Sequence, residues 1–146
     1  MSKTKSGKWI QTLLAIGTVG LFILIAGSLT IQLINSRAIK NNIRVAVKEY
    51  SGSAEDALIA YMLDESKSPQ GRTHTAIWTL GQIRSNKALP CLQEFYQDDP
   101  KGNTCYGHHD SLLCQMEIYK AITKIEGIGL FSNKRLKTYD PGTIGN

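Results

Sequence analysis

The sequence predicts an all-α protein: a single N-terminal transmembrane helix followed by a small helical domain. Three observations support this prediction: an uncharged apolar stretch near the N-terminus, apolar residues at helical spacing through the middle of the chain, and an internal repeat of that spacing. No stretch alternates between apolar and polar residues for long enough to indicate a β-strand. The length of 146 residues suffices for one modest domain beside a membrane span.

Residues 9–35 are predicted to form the transmembrane helix. They contain no charged residue, and their apolar core is Leu13–Ile34. A helix needs about 20 apolar residues to cross about 30 Å of hydrocarbon. A lone span must be helical because lipid offers no partner to free backbone groups. Trp9 stands where an interfacial aromatic residue belongs, directly after the basic N-terminal flank of residues 1–8.

A cleaved signal peptide is the alternative explanation of this segment. Ala26, Gly27 and Ser28 offer small residues for a cleavage site. The apolar sequence continues beyond them through Leu29 and Ile34, and the stretch is longer than a usual signal core. These features favour an uncleaved single-pass anchor.

The charges that flank the span favour one orientation weakly. Three lysines precede it, and four basic residues follow it within one short segment: Arg37, Lys40, Arg44 and Lys48. The two flanks nearly balance. A short basic head before the first apolar stretch favours a cytoplasmic N-terminus, which would place the helical domain outside the cytoplasm.

The formal charge of +5 is mainly a property of the N-terminal flank. Lys3, Lys5 and Lys8 account for three of the positive charges, and from Arg37 onward 14 Lys and Arg accompany 12 Asp and Glu. Nucleic-acid binding requires a basic face on the folded domain. A nearly neutral domain therefore argues against a nucleic-acid partner.

Four apolar stripes at helical spacing predict the helices of the domain. They comprise Leu58, Ile59, Met62 and Leu63; Ala76, Ile77, Leu80 and Ile83; Leu89, Leu92, Phe95 and Tyr96; and Ile118, Ala121, Ile122 and Ile125. Local residues agree with helix starts: Ser53–Asp56 is similar to a capping box, Ser85 or Asn86 can cap the third helix, and Pro90 falls in its first turn.

The helices repeat. Residues Trp78–Ile83 match Lys120–Ile125, which lie 42 positions later, and Ala54–Met62 match Ala88–Tyr96, which lie 34 positions later. A helical hairpin therefore occurs twice, with a longer loop in the second copy. Self-similarity at this period is typical of stacked α-helical repeats.

The first hairpin and the helix after it contain the pattern D-x7-R-x3-A-x3-LG-x-I-x4-A-x-P-x-L. Its residues are Asp64, Arg72, Ala76, Leu80, Gly81, Ile83, Ala88, Pro90 and Leu92. With this pattern, the segment from Ala54 to about Gly127 resembles HEAT repeats, of the short type also found in phycobilin lyases. The resemblance implies a short α-solenoid of about two hairpins.

The resemblance also implies a structural role for several of these residues. Arg72 is expected to pair with an acid such as Asp64, Ala76 and Gly81 to let helices approach closely, and Pro90 to stiffen the entry to the next repeat. The second copy has Cys114 at the Arg position and Thr123 at the Gly position. It is therefore expected to be a weaker, terminal repeat.

Two hairpins are few for a repeat array, and the segment Ser36–Tyr50 is predicted to add a half-repeat. Ile39, Ile43, Ala46, Val47 and Tyr50 fall on one face of this helix, which can continue the membrane helix. The repeat domain is thus predicted to cover residues 36–127. Residues 128–146, rich in Gly and basic residues, are predicted to be disordered.

The loop before the last helix gathers possible metal ligands or redox partners: Cys105, His108, His109 and Cys114. Thiolate and imidazole suit zinc, although the spacing matches no common zinc motif. A disulfide between Cys105 and Cys114 is the favoured interpretation, and it agrees with the extracytoplasmic orientation. Two free thiols remain the third possibility. Cys91 is expected to be a small buried apolar residue.

No catalytic motif is present, and the sequence predicts neither an enzyme, nor a cofactor, nor a small-molecule substrate. In HEAT-like folds the second helices line the concave surface that binds partners. The resemblance therefore implies a partner-binding face of His74, Trp78, Gln82, Met116, Lys120 and Lys124. The alternative for Trp78 is packing against the half-repeat.

The expected function is a membrane-anchored scaffold or adaptor that binds another protein, which can itself be a membrane protein. A zinc- or thiol-dependent site in the Cys105–Cys114 loop is the alternative function.

Overall fold

The computed structural model describes residues 5–103 and 112–128, and every regular element in these ranges is helical. The helices are α1 (Lys5–Glu49), α2 (Ala54–Leu63), α3 (Pro69–Gly71), α4 (Trp78–Gln82), α5 (Leu89–Phe95) and α6 (Gln115–Ile125). A π-helical segment, Arg72–Ile77, lies between α3 and α4, and a 3₁₀ turn, Asn86–Ala88, precedes α5. The all-α prediction is confirmed for the described part of the chain.

The chain divides into two compact units, Met1–Ala38 and Ile39–Asn146. α1 begins in the first unit and extends into the second, and its most apolar stretch is not buried. By length and composition, α1 can cross a membrane, and it is the one helix in the described ranges that can. Its large apolar side chains are exposed, Phe22 and Leu24 each to 72%, which is unfavourable in water and normal in lipid.

The described residues of the second unit form one hydrophobic core, to which each of their helices longer than one turn contributes. Its buried apolar residues include Ala46, Leu58, Met62, Ile77, Leu80, Leu92, Ile118 and Ile122. From the predicted half-repeat, Ala46 is fully buried, and Ile43 and Tyr50 pack against the core. Val47, predicted on the same face, is instead 46% exposed.

The predicted capping box at the start of α2 is confirmed. The Ser53 hydroxyl accepts a hydrogen bond from the Asp56 backbone N–H, and the Asp56 carboxylate accepts one from the Ser53 backbone N–H, both at 3.2 Å. The Lys87 ammonium also binds this carboxylate and, together with Ser53, lowers the pKa of Asp56 to about 2. The start of α2 is thereby tied to the turn before α5.

The turn before α5 forms without the expected side-chain cap. Arg84 adopts a left-handed conformation (φ 55°) after α4, and the 3₁₀ turn begins two residues later. The Ser85 hydroxyl makes no capping bond; it is buried and has no hydrogen-bond partner among the described residues. Pro90 stands in the first turn of α5 as predicted, where its missing N–H costs no hydrogen bond.

Arg72 and Asp64 do not pair with each other as the HEAT resemblance implied. The buried Arg72 side chain turns inward, where its Nε donates to the Met62 carbonyl at 2.6 Å and its guanidinium lies 5.9 Å from the Phe95 ring centroid. The Asp64 carboxylate instead accepts hydrogen bonds from the Tyr50 hydroxyl and the Ser66 backbone N–H. These bonds, led by that of Tyr50, lower the pKa of Asp64 to about 2.

The C-terminal helix α6 packs against α4, α5 and the π-helical segment. Gln115 fixes its start, because its side chain accepts from the Gln97 backbone N–H at 2.7 Å and donates to the Phe95 carbonyl at 3.1 Å. Cys114, directly before α6, is buried, and its backbone N–H donates to the Thr73 hydroxyl at 3.4 Å. The predicted disordered tail lies outside the described residues except for Ile128.

Candidate partner-binding groove

An open groove of about 430 Å³ lies between the helical stretch 74–82 and α6. Five of the six residues predicted for the partner-binding face line it: His74, Trp78, Gln82, Lys120 and Lys124. The other lining residues are Gly81, Glu117, Ala121 and Thr123. The face that the HEAT resemblance implied therefore contains side chains that the fold brings together around one concave feature.

The floor of the groove is the close contact between α4 and α6. A Cβ atom added at Gly81 would lie 2.7 Å from the Cα and 2.9 Å from the Cβ of Ala121. Such distances are below normal carbon–carbon contact, so only glycine fits here without moving a helix. The predicted role of Gly81 in close helix approach therefore holds, and its partner is Ala121.

Trp78 forms part of one wall. It is half-buried, and it belongs neither to the core cluster nor to the partly buried apolar residues that pack against it. The alternative for Trp78, packing against the half-repeat, stays a prediction. An indole that keeps exposed area beside a small-residue floor can take up an apolar side chain of a ligand.

The helical stretch that carries Trp78 is fastened to α1 by Asn42. The Asn42 side-chain amide donates to the His74 carbonyl at 3.2 Å and lies 2.9 Å from the Thr79 hydroxyl. The wider turn of a π-helical segment alters the i→i+4 bonding of its carbonyls, and such segments often occur at functional sites. Asn42 thus joins a carbonyl of this segment to a side chain in the first turn of α4, and its two partners lie on either side of Trp78 in the sequence.

The charged groups of the groove come mainly from α6. Lys124 Nζ donates to Gln82 Oε1 across the groove at 2.8 Å, and Lys120 Nζ binds Glu117 Oε1 on its own helix at 2.8 Å. The Lys120 side chain is 51% exposed, whereas the Glu117 side chain is 17% exposed. The charged groups that face solvent at this site are therefore cationic. This arrangement of side chains suits the binding of a ligand.

No family model, curated protein or solved structure matches this chain. The HEAT resemblance therefore rests on the motif residues alone, and function is argued from the groove.

One predicted residue of the face does not line the groove. Met116, which aligns with His74 in the internal repeat, is half-buried in the first turn of α6, and the groove ends one residue later at Glu117. Glu117 and Ala121 were missed by the sequence argument. Helical spacing could have found them, because Glu117 and Ala121 are four apart and flank Lys120 on the same helix.

The alternative site in the loop before α6 lies almost wholly outside the described residues. Cys105, His108 and His109 are not described, and only Cys114 is. Within the described ranges no group of three or more His, Cys, Asp or Glu side chains is placed to hold a metal. The disulfide and zinc hypotheses stay predictions. Cys91, expected to be buried, is half-buried against the core.

Proposed function

We propose that this chain is a single-pass membrane-anchored binding protein that holds a peptide segment of a partner protein in the groove between α4 and α6. The groove is the observation on which the proposal rests. It combines a rigid floor, an indole outside the core and two lysines at one concave site. No reaction is part of this proposal.

The HEAT-like interpretation supports the proposal through the packing order of the helices. α2 packs against the π-helical segment, and α4 and α5 both pack against α6. This order agrees with two consecutive hairpins stacked side by side, as in a short α-solenoid. In that arrangement the groove lies between the second helices of the two hairpins, the position that implies a partner-binding surface.

The membrane anchor restricts where a partner is met. A chain with one span of this kind presents its domain near a bilayer surface, which favours another membrane protein or a protein of the same compartment. We further propose that the domain lies on the extracytoplasmic side, supported by the short basic head before the first apolar stretch.

Site-specific photocrosslinking in intact membranes tests the groove. A benzoylphenylalanine would replace Gln82 in the groove or, as a matched control, Leu63, which is 47% exposed and lies outside the groove. We expect discrete protein adducts from position 82 and none from position 63. The Trp78→Ala change should abolish the adducts from position 82, since a central Trp contributes a large share of interface energy.

A stability measurement separates binding from folding in this experiment. Trp78 is half-buried and lies outside the core cluster, so Trp78→Ala should cost less than the about 3–5 kcal/mol of a core aromatic truncation and should leave the domain folded. Adducts from position 82 that persist in Trp78→Ala would overturn the proposal. A large loss of stability in Trp78→Ala without any loss of adducts would assign Trp78 a packing role instead.

A further inference from the structure

We infer that the segment held in this groove is acidic: it presents a carboxylate to Lys124 and an apolar side chain to Trp78. This inference rests on the proposed function and names the chemistry of its ligand. The ligand is a peptide of a partner protein, and its chemistry is set by the charge of the groove, by the exposure of its side chains and by its floor.

The charge of the groove is positive at the surface a ligand would meet. Lys120 and Lys124 are exposed, and the single acid among the lining residues, Glu117, is mostly covered and bound to Lys120. The helical stretch opposite contributes Trp78, Gln82 and His74 and no acid. An acidic segment is complementary to this surface, whereas a basic segment would be repelled by it.

Lys124 is the better placed of the two lysines for a ligand carboxylate. Its ammonium is held across the groove by a neutral amide, Gln82, so its charge is not compensated by an acid within the described residues. The bond to Gln82 orients the ammonium but leaves further N–H donors free for a carboxylate. Lys120 is already paired with Glu117, and its charge adds to the positive electrostatic potential of the site.

The apolar part of the ligand follows from the floor and the wall. Gly81 and Ala121 present little more than backbone and methyl surface, and they meet in direct contact. The indole of Trp78 borders this floor. The floor itself is already buried, whereas part of the Trp78 indole is exposed. An aliphatic or aromatic side chain next to the carboxylate would cover this exposed part of the indole, which adds affinity that charge alone does not supply in salt.

Selection from a displayed library of random 12-residue peptides tests the inference on the full chain in detergent micelles. The wild type would be compared with Lys124→Glu, with Trp78→Ala and with Lys48→Glu, a control at an exposed lysine outside the groove. Lys124→Glu should keep the fold. The Gln82 amide can rotate to donate to the new carboxylate, and Lys120, four residues earlier on the same helix, can pair with it.

We expect wild-type and Lys48→Glu proteins to select Asp- or Glu-containing peptides with an apolar neighbour, and Lys124→Glu to lose this preference. Replacing the acids of the best peptide by the matching amides should weaken its binding about tenfold, as expected for a lost charged hydrogen bond. Peptides that require Trp78 but carry no acid would overturn the inference and leave the proposed function standing. If no peptide distinguishes wild type from Trp78→Ala, both the inference and the proposed function fail.

Discussion

The contact between Gly81 and Ala121 makes Gly81→Ala the most direct test of how the groove is built. An added methyl group would lie 2.7 Å from a backbone atom of α6, so α4 and α6 must separate. Overpacking of this kind costs about 1–3 kcal/mol. The change also gains about 1 kcal/mol of helix propensity, because alanine replaces glycine inside a helix. A backbone atom cannot rotate away, so the upper part of that range applies and a net loss of about 1–2 kcal/mol is expected.

Urea unfolding of the full chain in detergent measures this loss. A Trp9→Phe background leaves Trp78 as the one tryptophan, so its fluorescence reports on the domain. The double variant Gly81→Ala/Ala121→Gly is the matched control. It removes the Cβ at 2.9 Å but keeps the Cα at 2.7 Å, so rescue should be partial. Unchanged or increased stability of Gly81→Ala would refute the packing argument, and complete rescue would show that the clash involves the methyl group alone.

Two further predictions concern Arg72 and Asp64, which lie on either side of the connection between α2 and the π-helical segment. Arg72→Met should lower the free energy of unfolding by about 1.5–3 kcal/mol, since it removes a charged donor from the Met62 carbonyl. Arg72→Lys should not restore it, because an ammonium lacks the planar group that lies over Phe95, and a fully stable lysine variant would contradict this. Asp64 has a folded pKa of about 2 against an ordinary 3.8, so its contribution is present above about pH 4 and lost as the pH falls toward 2. In acid titrations followed by circular dichroism, Asp64→Asn should therefore flatten the decline in stability, and an unchanged slope would contradict the assignment.

Local features of the sequence were sufficient to predict the helical class and several details. The capping box at Ser53, the proline in the first turn of α5 and the close approach at Gly81 each depend on one residue type with one strong physical preference. The HEAT resemblance implied the face that contains His74, Trp78 and Gln82, and these three residues line the groove although a π-helical segment precedes Trp78. These predictions needed no knowledge of what each side chain contacts.

Contacts between residues that are distant in the sequence were predicted wrongly or not at all. Arg72 was expected to pair with Asp64. Instead, the Tyr50 hydroxyl donates to the Asp64 carboxylate, and Arg72 donates to the Met62 carbonyl of α2. The Asn42 contacts and the partner of Gly81 were not predicted. A repeat alignment pairs equivalent positions, so it matched Gly81 with Thr123, whereas the residue in contact is Ala121. Contacts depend on helix crossing and rotation, which spacing along one chain does not specify.

The groove combines two kinds of interaction that differ in strength. Its contribution to folding stability can therefore be separated from its contribution to ligand binding. Its floor is a buried backbone contact that any added atom disrupts, whereas its lysines are held by single bonds to Gln82 and Glu117 at the surface. Exposed bonds of this kind contribute little to folding. Replacing the lysines should therefore change what the groove binds and leave the domain folded, while changing the floor should lower stability and binding together. Unfolding of the domain in the lysine variants would contradict this assignment of the lysines to binding.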